Sequence, residues 1–179
     1  ADTVPEPLMW RCIMEGRYNS TGAAYGDKFN AENIKETTFK WLNIEGRNTL
    51  QTAVGTVDAM EAIQRLDLVT DLAYSFDVSA SYADIVLPCA TEWERVGGFA
   101  GHQRSRETVV VYTKVIDPVG EAKTEFEIGR MLAERLGMDP NEVWPISEEQ
   151  AFFNQLVGCT YVDAAGETQP LVTITQDDI

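Results

Sequence analysis

An α/β fold with a mainly parallel sheet packed between helices is predicted by three features of this 179-residue sequence. Strand-like segments at 38–44, 68–73 and from Ile85 follow one another closely, with helical or crossover segments between them. Glu45-Gly46-Arg47-Asn48 and a helical pattern separate the first two, the signature of a strand–helix–strand unit. The third, Ile85-Val86-Leu87, is a continuous apolar run of the kind expected in a strand covered on both faces. Pro88 stops it, because proline lacks the N–H that would carry a ladder onward.

Each element has a local reason. Residues 1–36 are weakly patterned, with Pro5, Pro7, a short helix predicted over 8–14 and a Gly/Ser/Asn-rich loop around 18–28. Residues 38–44 are rich in β-branched and aromatic side chains and predict a strand. A helix over 57–66 takes Thr56 as its N-cap and places Ala59, Met60, Ile63 and Leu66 on one face. A strand over 68–73 follows, then a turn or short helix at 78–82. After Gly97-Gly98, residues 109–116 predict an apolar strand that Asp117-Pro118-Val119-Gly120 ends. Thr124 and Glu127 fit a capping box: the hydroxyl accepts from the third helical amide and the carboxylate accepts from the cap amide. The helix behind it stripes Ile128, Met131, Leu132 and Leu136 and stops at Gly137. Ser147 and Gln150 repeat the pattern before Phe152, Phe153, Leu156 and Val157, and 171–175 predicts a last strand. The expected organisation is a connecting arm over 1–36, a Rossmann-like three-layer αβα domain over 37–158 and a strand-containing extension over 159–179.

Composition removes several function classes. Fourteen basic against 29 acidic side chains give a formal charge of −15, which opposes nucleic-acid phosphates and anionic membrane surfaces. No apolar run approaches the roughly 20 residues of a membrane span, so direct membrane insertion is not expected. The chain is long enough to bury a core without disulfides, and Cys12, Cys89 and Cys159 fall in no metal-binding spacing. The opening Ala1-Asp2-Thr3-Val4-Pro5, without an initiator methionine, suits either an excised segment or a processed precursor.

Ligands in open parallel sheets sit beyond the carboxyl ends of the strands, which makes residues 91–99 candidate contacts. Leu66-Asp67-Leu68-Val69, then Ala80-Ser81-Tyr82-Ala83-Asp84-Ile85-Val86-Leu87-Pro88, then Thr91, Glu94-Arg95, Gly97 and Phe99 form an ordered series. It continues through residues 104–118, Gly120-Glu121-Ala122-Lys123 and the helix over 126–137. This series resembles the molybdopterin oxidoreductases of the dimethyl sulfoxide reductase family, which includes formate dehydrogenases and periplasmic nitrate reductases. Trp10-Arg11-Cys12-Ile13-Met14-Glu15-Gly16-Arg17-Tyr18 and Asn48-Thr49-Leu50-Gln51 are most similar to the oxide-reductase branch.

The resemblance implies the third of four domains of a large subunit, holding part of a molybdopterin guanine dinucleotide that carries molybdenum or tungsten. It further implies that an iron–sulfur cluster and the metal ligand belong to other parts of the parent. The expected partners are the remaining domains of the same subunit and an electron-transfer iron–sulfur subunit. The parent would transfer an oxygen atom, a hydride or electrons, and the chain alone would be inert. The alternatives are a free-standing nucleotide-binding domain and an acidic interaction domain that keeps the fold without redox chemistry.

By match to the family, Asn48, Gln51, Ala73, Thr91, Arg95 and Glu125 are the expected cofactor-binding residues, with Thr91 and Arg95 in the loop after Pro88 and Glu125 accepting from a guanine edge. An amide offers both donor and acceptor, and a guanidinium forks onto phosphate or ribose oxygens. The bland alternatives are a turn-favouring Asn48, an Arg95 paired with Glu94 or Glu92, and a Glu125 that complements the helix dipole. The family's strand-end Asp falls at Ala73, with Asp71 two residues earlier, so that either Asp77 substitutes from the following loop or the contact is through the backbone only. His102, the lone histidine, reads as a surface residue and Cys89 as a buried thiol. The four tryptophans read as packing residues, with Trp93 a second candidate for the crevice.

Overall fold

The computed structural model describes Val4 and residues 8–19, 33–101 and 109–178; His102, Arg104 and most of the polar loop expected at 18–28 lie outside these. The chain divides into two compact units, Ala1–Pro88 and Cys89–Ile179.

The first unit begins with α1 (Met9–Glu15), which stops at Gly16, whose φ of 66° is left-handed. Strands β1 (Arg17–Asn19) and β2 (Ile34–Glu36) then pair antiparallel. Next come β3 (Trp41–Glu45), the single turn α2 (Thr49–Thr52), α3 (Thr56–Ile63), β4 (Leu68–Ala73), a 3₁₀ turn at Ala80–Tyr82 and β5 (Ile85–Pro88). The three strands form a parallel sheet in the order β3-β4-β5, so the α/β class predicted above is present. Trp10 of α1, Ile44 of β3, Leu50 of α2, Ala59, Ala62 and Ile63 of α3 and Val69 of β4 make one apolar core. Each fully buried side chain of Leu or Ile size contributes roughly 1.5–3 kcal/mol.

Several local expectations give way to tertiary context. The strand expected from residue 38 starts at Trp41, where its parallel pairing with Leu68, the first residue of β4, begins. Gly55, not Thr56, caps α3: the Gly55 carbonyl accepts from Ala59, and the Thr56 hydroxyl donates to the Leu50 carbonyl. Met60 is exposed and Ala62 takes its place on the buried face. The strand covered on both faces is β4, with Val69, Thr70, Asp71 and Leu72 all buried; β5 is an edge strand and its Ile85 is half-exposed. Position in the sheet outweighs the apolar run. Asp84 clips the start of β5 to β4 reciprocally: its amide donates to the Val69 carbonyl at 2.9 Å, and its Oδ2 accepts from the Val69 amide at 2.7 Å.

In the second unit, β6 (Gly98–Gly101) and β7 (Val109–Tyr112) form an antiparallel hairpin. The apolar run expected to reach 116 leaves the ladder early, since the Val115 and Ile116 amides both donate to the Trp93 carbonyl. Helix α4 (Glu125–Arg135) starts in the predicted capping box, with Thr124 Oγ1 accepting from the Glu127 amide at 3.2 Å and Glu127 Oε2 accepting from the Thr124 amide at 3.0 Å. Of its expected stripe Ile128 is buried, whereas Met131 and Leu136 are exposed and Ala133 is buried instead. Arg130 holds α5 (Pro140–Val143) to α4 by donating to the carbonyls of Pro140 and Trp144 and to Asn141 Oδ1.

Helix α6 (Glu148–Val157) has half of its predicted box: the Ser147 hydroxyl accepts from the Gln150 amide, while the Gln150 side chain turns to Asn154 and Gln176. A β-carbon on Gly97 (φ 63°) would sit 2.3 Å from Cγ of Phe152, so this glycine is a close-approach position. The final strand expected at 171–175 is replaced by a hairpin of β8 (Thr160–Val162) and β9 (Thr168–Pro170). Pro170 closes that ladder, and Asp178 Oδ2 then accepts from the amide and hydroxyl of Thr175, which turns the chain out of extended geometry. Among the tryptophans, Trp10 is core, but Trp41 and Trp93 are exposed, 45 % and 57 %, and are not packing residues in these units. No helix among the described residues is long and apolar enough to cross a membrane.

Candidate functional site

Parallel strands bring the carboxyl ends of β3 and β4 to one edge of the sheet, and each is followed by a polar turn. After β3 the chain turns at Gly46 (φ 59°) into Arg47 and Asn48. After β4, Ala73 leads into Tyr74, Ser75, Phe76 and Asp77. Arg47, Asn48, Asp71, Ala73, Tyr74 and Asp77 line a notch of about 50 Å³ there. That volume admits the edge of a ring or one or two waters, not a whole base.

Asn48 joins the two turns. Its Oδ1 accepts from the Ser79 hydroxyl at 3.0 Å and the Ser79 amide at 3.3 Å, and the Ser79 hydroxyl oxygen accepts from the Leu50 amide at 3.0 Å. Asn48 Nδ2 donates to Gln51 Oε1 at 2.7 Å, so these two predicted contacts are coupled, with Gln51 exposed. An amide nitrogen carries two hydrogens, which leaves Asn48 a second donor. Ser79, fully buried, escaped the sequence reading: a small polar residue in a turn carries no signal of its own.

Ala73 ends β4 half-buried and brings no acceptor to the notch. Asp71 does. It sits inside the central strand opposite Ile44 and Val86, is 2 % exposed, and its Oδ2 is buried without a hydrogen-bond partner. Burial, and then the charge of Asp77, push its carboxyl up to about 6. Asp77, from the loop, commits its Oδ1 to the Ala80 amide at 3.0 Å. Because alternate residues share a face, Asp71 and Ala73 both reach the notch, Asp71 one step deeper. An unpaired buried carboxylate oxygen costs about 1–3 kcal/mol, and an ordered water or a ligand N–H can satisfy it.

In the second unit Thr91, Arg95 and Glu125 are held by neighbours within that unit. Glu94 is buried; its Oε2 accepts from the Thr91 amide and hydroxyl, each at 2.8 Å, and its Oε1 accepts from the Val119 amide at 3.0 Å. The Thr91 bonds, with that of Val119, hold its carboxyl below the usual range. Arg95 pairs with neither Glu94 nor Glu92, as the local alternative expected. Its Nη1 lies 2.8 Å from Oε2 of Glu125, so two predicted contacts bind each other. Its Nε is buried without a partner.

Glu125 occupies the first turn of α4, where the amide ends favour a carboxylate. Beside the pair, Cys89 is buried, and its thiol is pushed up to about 12 by burial and then by Glu125, so it is an inert thiol as expected. The Thr124 hydroxyl donates to Glu148, whose carboxyl is raised by burial.

The geometry of the notch is that of a polar site with donors and acceptors to offer a ligand. The sequence profile described as molybdopterin oxidoreductase matches residues 14–135. A trimethylamine-N-oxide reductase from Vibrio vulnificus (strain YJ016) is 28% identical over 109 residues, covering 61% of this chain and 13% of the relative. The respiratory nitrate reductase subunit alpha of Haloferax mediterranei is 34% identical over 121 residues, covering 64% of this chain and 11% of the relative. Among solved structures, acetylene hydratase from Pelobacter acetylenicus superposes with a TM-score of 0.52 at 27% identity, over 62% of this chain and 15% of that one. The chain therefore spans a small part of the length of these proteins.

Proposed function

The chain belongs to the molybdopterin oxidoreductase family, and from that premise we propose that it is the segment of a larger oxidoreductase that holds the guanine-nucleotide arm of a molybdopterin guanine dinucleotide. The observation that carries this reading is the unpartnered Asp71 oxygen in the notch at the carboxyl ends of β3 and β4. A guanine edge presents N–H donors that a carboxylate accepts, and such notches are where parallel sheets take ligands.

In this reading Asn48 adds its free amide hydrogen, Gln51 fixes the Asn48 amide, and the Ala73 backbone shapes the wall. Taken by itself, the second unit offers the unpaired Nε of Arg95 to a phosphate or ribose oxygen while Glu125 holds the guanidinium, and Thr91 is a structural neighbour held by Glu94. The bound group would supply the oxygen-atom, hydride or electron chemistry, on molybdenum or tungsten; the residues of this chain bind and orient it. The remaining domains of the parent, an iron–sulfur cluster in it and an electron-transfer subunit complete the proposal, which the naming of one relative as an alpha subunit supports.

Adding guanosine diphosphate to the chain should shift the amide resonances of Arg47, Asn48, Ala73 and Asp77, with adenosine diphosphate shifting them far less. Equal responses to both nucleotides, or none to either, would sink the reading. The closed Arg95–Glu125 pair favours a second reading, an acidic domain that keeps the fold without holding cofactor. That reading predicts no response to either nucleotide.

A further inference from the structure

Two carboxylates meet the notch in different states of commitment. Asp77 has one oxygen fixed by the Ala80 amide, and it enters from a loop. Asp71 is locked in the central strand, almost wholly buried; it lines the notch, and its Oδ2 is unsatisfied. Ala73 has no polar side chain, so the side-chain acceptor that β4 brings to the notch is a group that can change its charge.

We propose that Asp71 gates binding in this notch by its own protonation: the ionised carboxylate accepts from both N–H groups of a guanine-type edge, and the neutral acid accepts from only one. The gate rests on the guanine-nucleotide reading above. An ionised carboxylate is acceptor-only, matching a base edge that is donor-only. The neutral acid keeps one acceptor oxygen but sets its own O–H against the second N–H.

The neighbours of Asp71 make the gate work near neutrality. Asp77 faces it from the loop after β4 and opposes its ionisation, as burial does. Arg47 and Tyr74 are the remaining charged or titratable side chains of the notch. The flanking strands present Ile44 from β3 and Val86 from β5, so neither adds a counter-charge beside it. With its carboxyl at about 6, Asp71 is largely ionised at pH 7.5 and about nine-tenths protonated at pH 5.

Two measurements on the chain separate the gate from the reading beneath it. Carbon-13 carboxyl spectra should show Asp71 titrating near 6 and moving down in Asp77→Asn. Calorimetric titration with guanosine diphosphate should give about tenfold weaker binding at pH 5 than at pH 7.5, and Asp71→Asn should bind weakly with no such slope. A midpoint for Asp71 in the ordinary aspartate range overturns the gate whether or not nucleotide binds. Binding that is equally tight at both pH values overturns the gate and leaves the guanine reading standing. Absence of binding at pH 7.5 while Asp71 titrates near 6 overturns the guanine reading, and the gate with it.

Discussion

The two units solve the same problem of burial by different means. The first packs Trp10, Ile44, Leu50, Ala59, Ala62, Ile63 and Val69 around a parallel sheet and leaves one strand carboxylate unsatisfied. Among the described residues the second buries fewer apolar side chains, among them Ile128, Ala133 and Phe153, and leans on carboxylates that neighbours satisfy: Glu94 by Thr91 and Val119, Glu125 by Arg95, Glu127 by the α4 cap. Where polar groups close on one another they build scaffold. Where one is left open inside an otherwise satisfied sheet, it marks the place for something else, and Asp71 is that case; Arg95 stands between the two, half closed by Glu125 and half open at Nε.

Variants test that contrast, beginning with the largest effect. Leu50→Ala empties a position 1 % exposed in the first core and should cost about 3 kcal/mol in chemical denaturation. A loss below about 1 kcal/mol would mean that the first unit does not depend on its apolar core. Asp71→Asn should act in the opposite direction. The folded carboxyl lies above its ordinary 3.8, so its contribution to stability is full below that value and is lost as pH rises through about 6. The uncharged variant should therefore be more stable than the parent chain at pH 7.5, by about 2–3 kcal/mol, and gain nothing at pH 3.5. An equal change at both pH values would show that the open carboxylate is not strained by its burial. Thr124→Ala removes half of the α4 capping box and should cost about 1 kcal/mol by thermal melting, a loss confined to the polar second unit.

Local chemistry was readable from the sequence, and placement in three dimensions was not. Thr124 and Glu127 announce their capping box because both partners lie within one turn. The strand at Leu68–Ala73 is legible from its β-branched pattern and its flanking turns. Which strand lies at the centre of the sheet is set by pairing between distant segments, so Ile85-Val86-Leu87 reads as buried and is an edge, while β4 is covered despite Thr70 and Asp71. The Arg95 partner was missed for the same reason: Glu92 and Glu94 are its neighbours in sequence, and Glu125 is its neighbour in space. For the notch, Asn48, Ala73 and Asp77 were each singled out by the family series, but the depth of Asp71 and the Asn48–Ser79 link follow from the packed strands alone.

The approach of Gly97 to the Phe152 ring ties two positions of the second unit into one unit of drift. Any side chain at 97 would both strain a left-handed backbone and overlap that ring, so the two sites cannot vary independently. Relatives that gain a β-carbon at the first position are expected to carry a smaller residue at the second, and a lone change at 97 should be rare among lineages that keep α6 where it is.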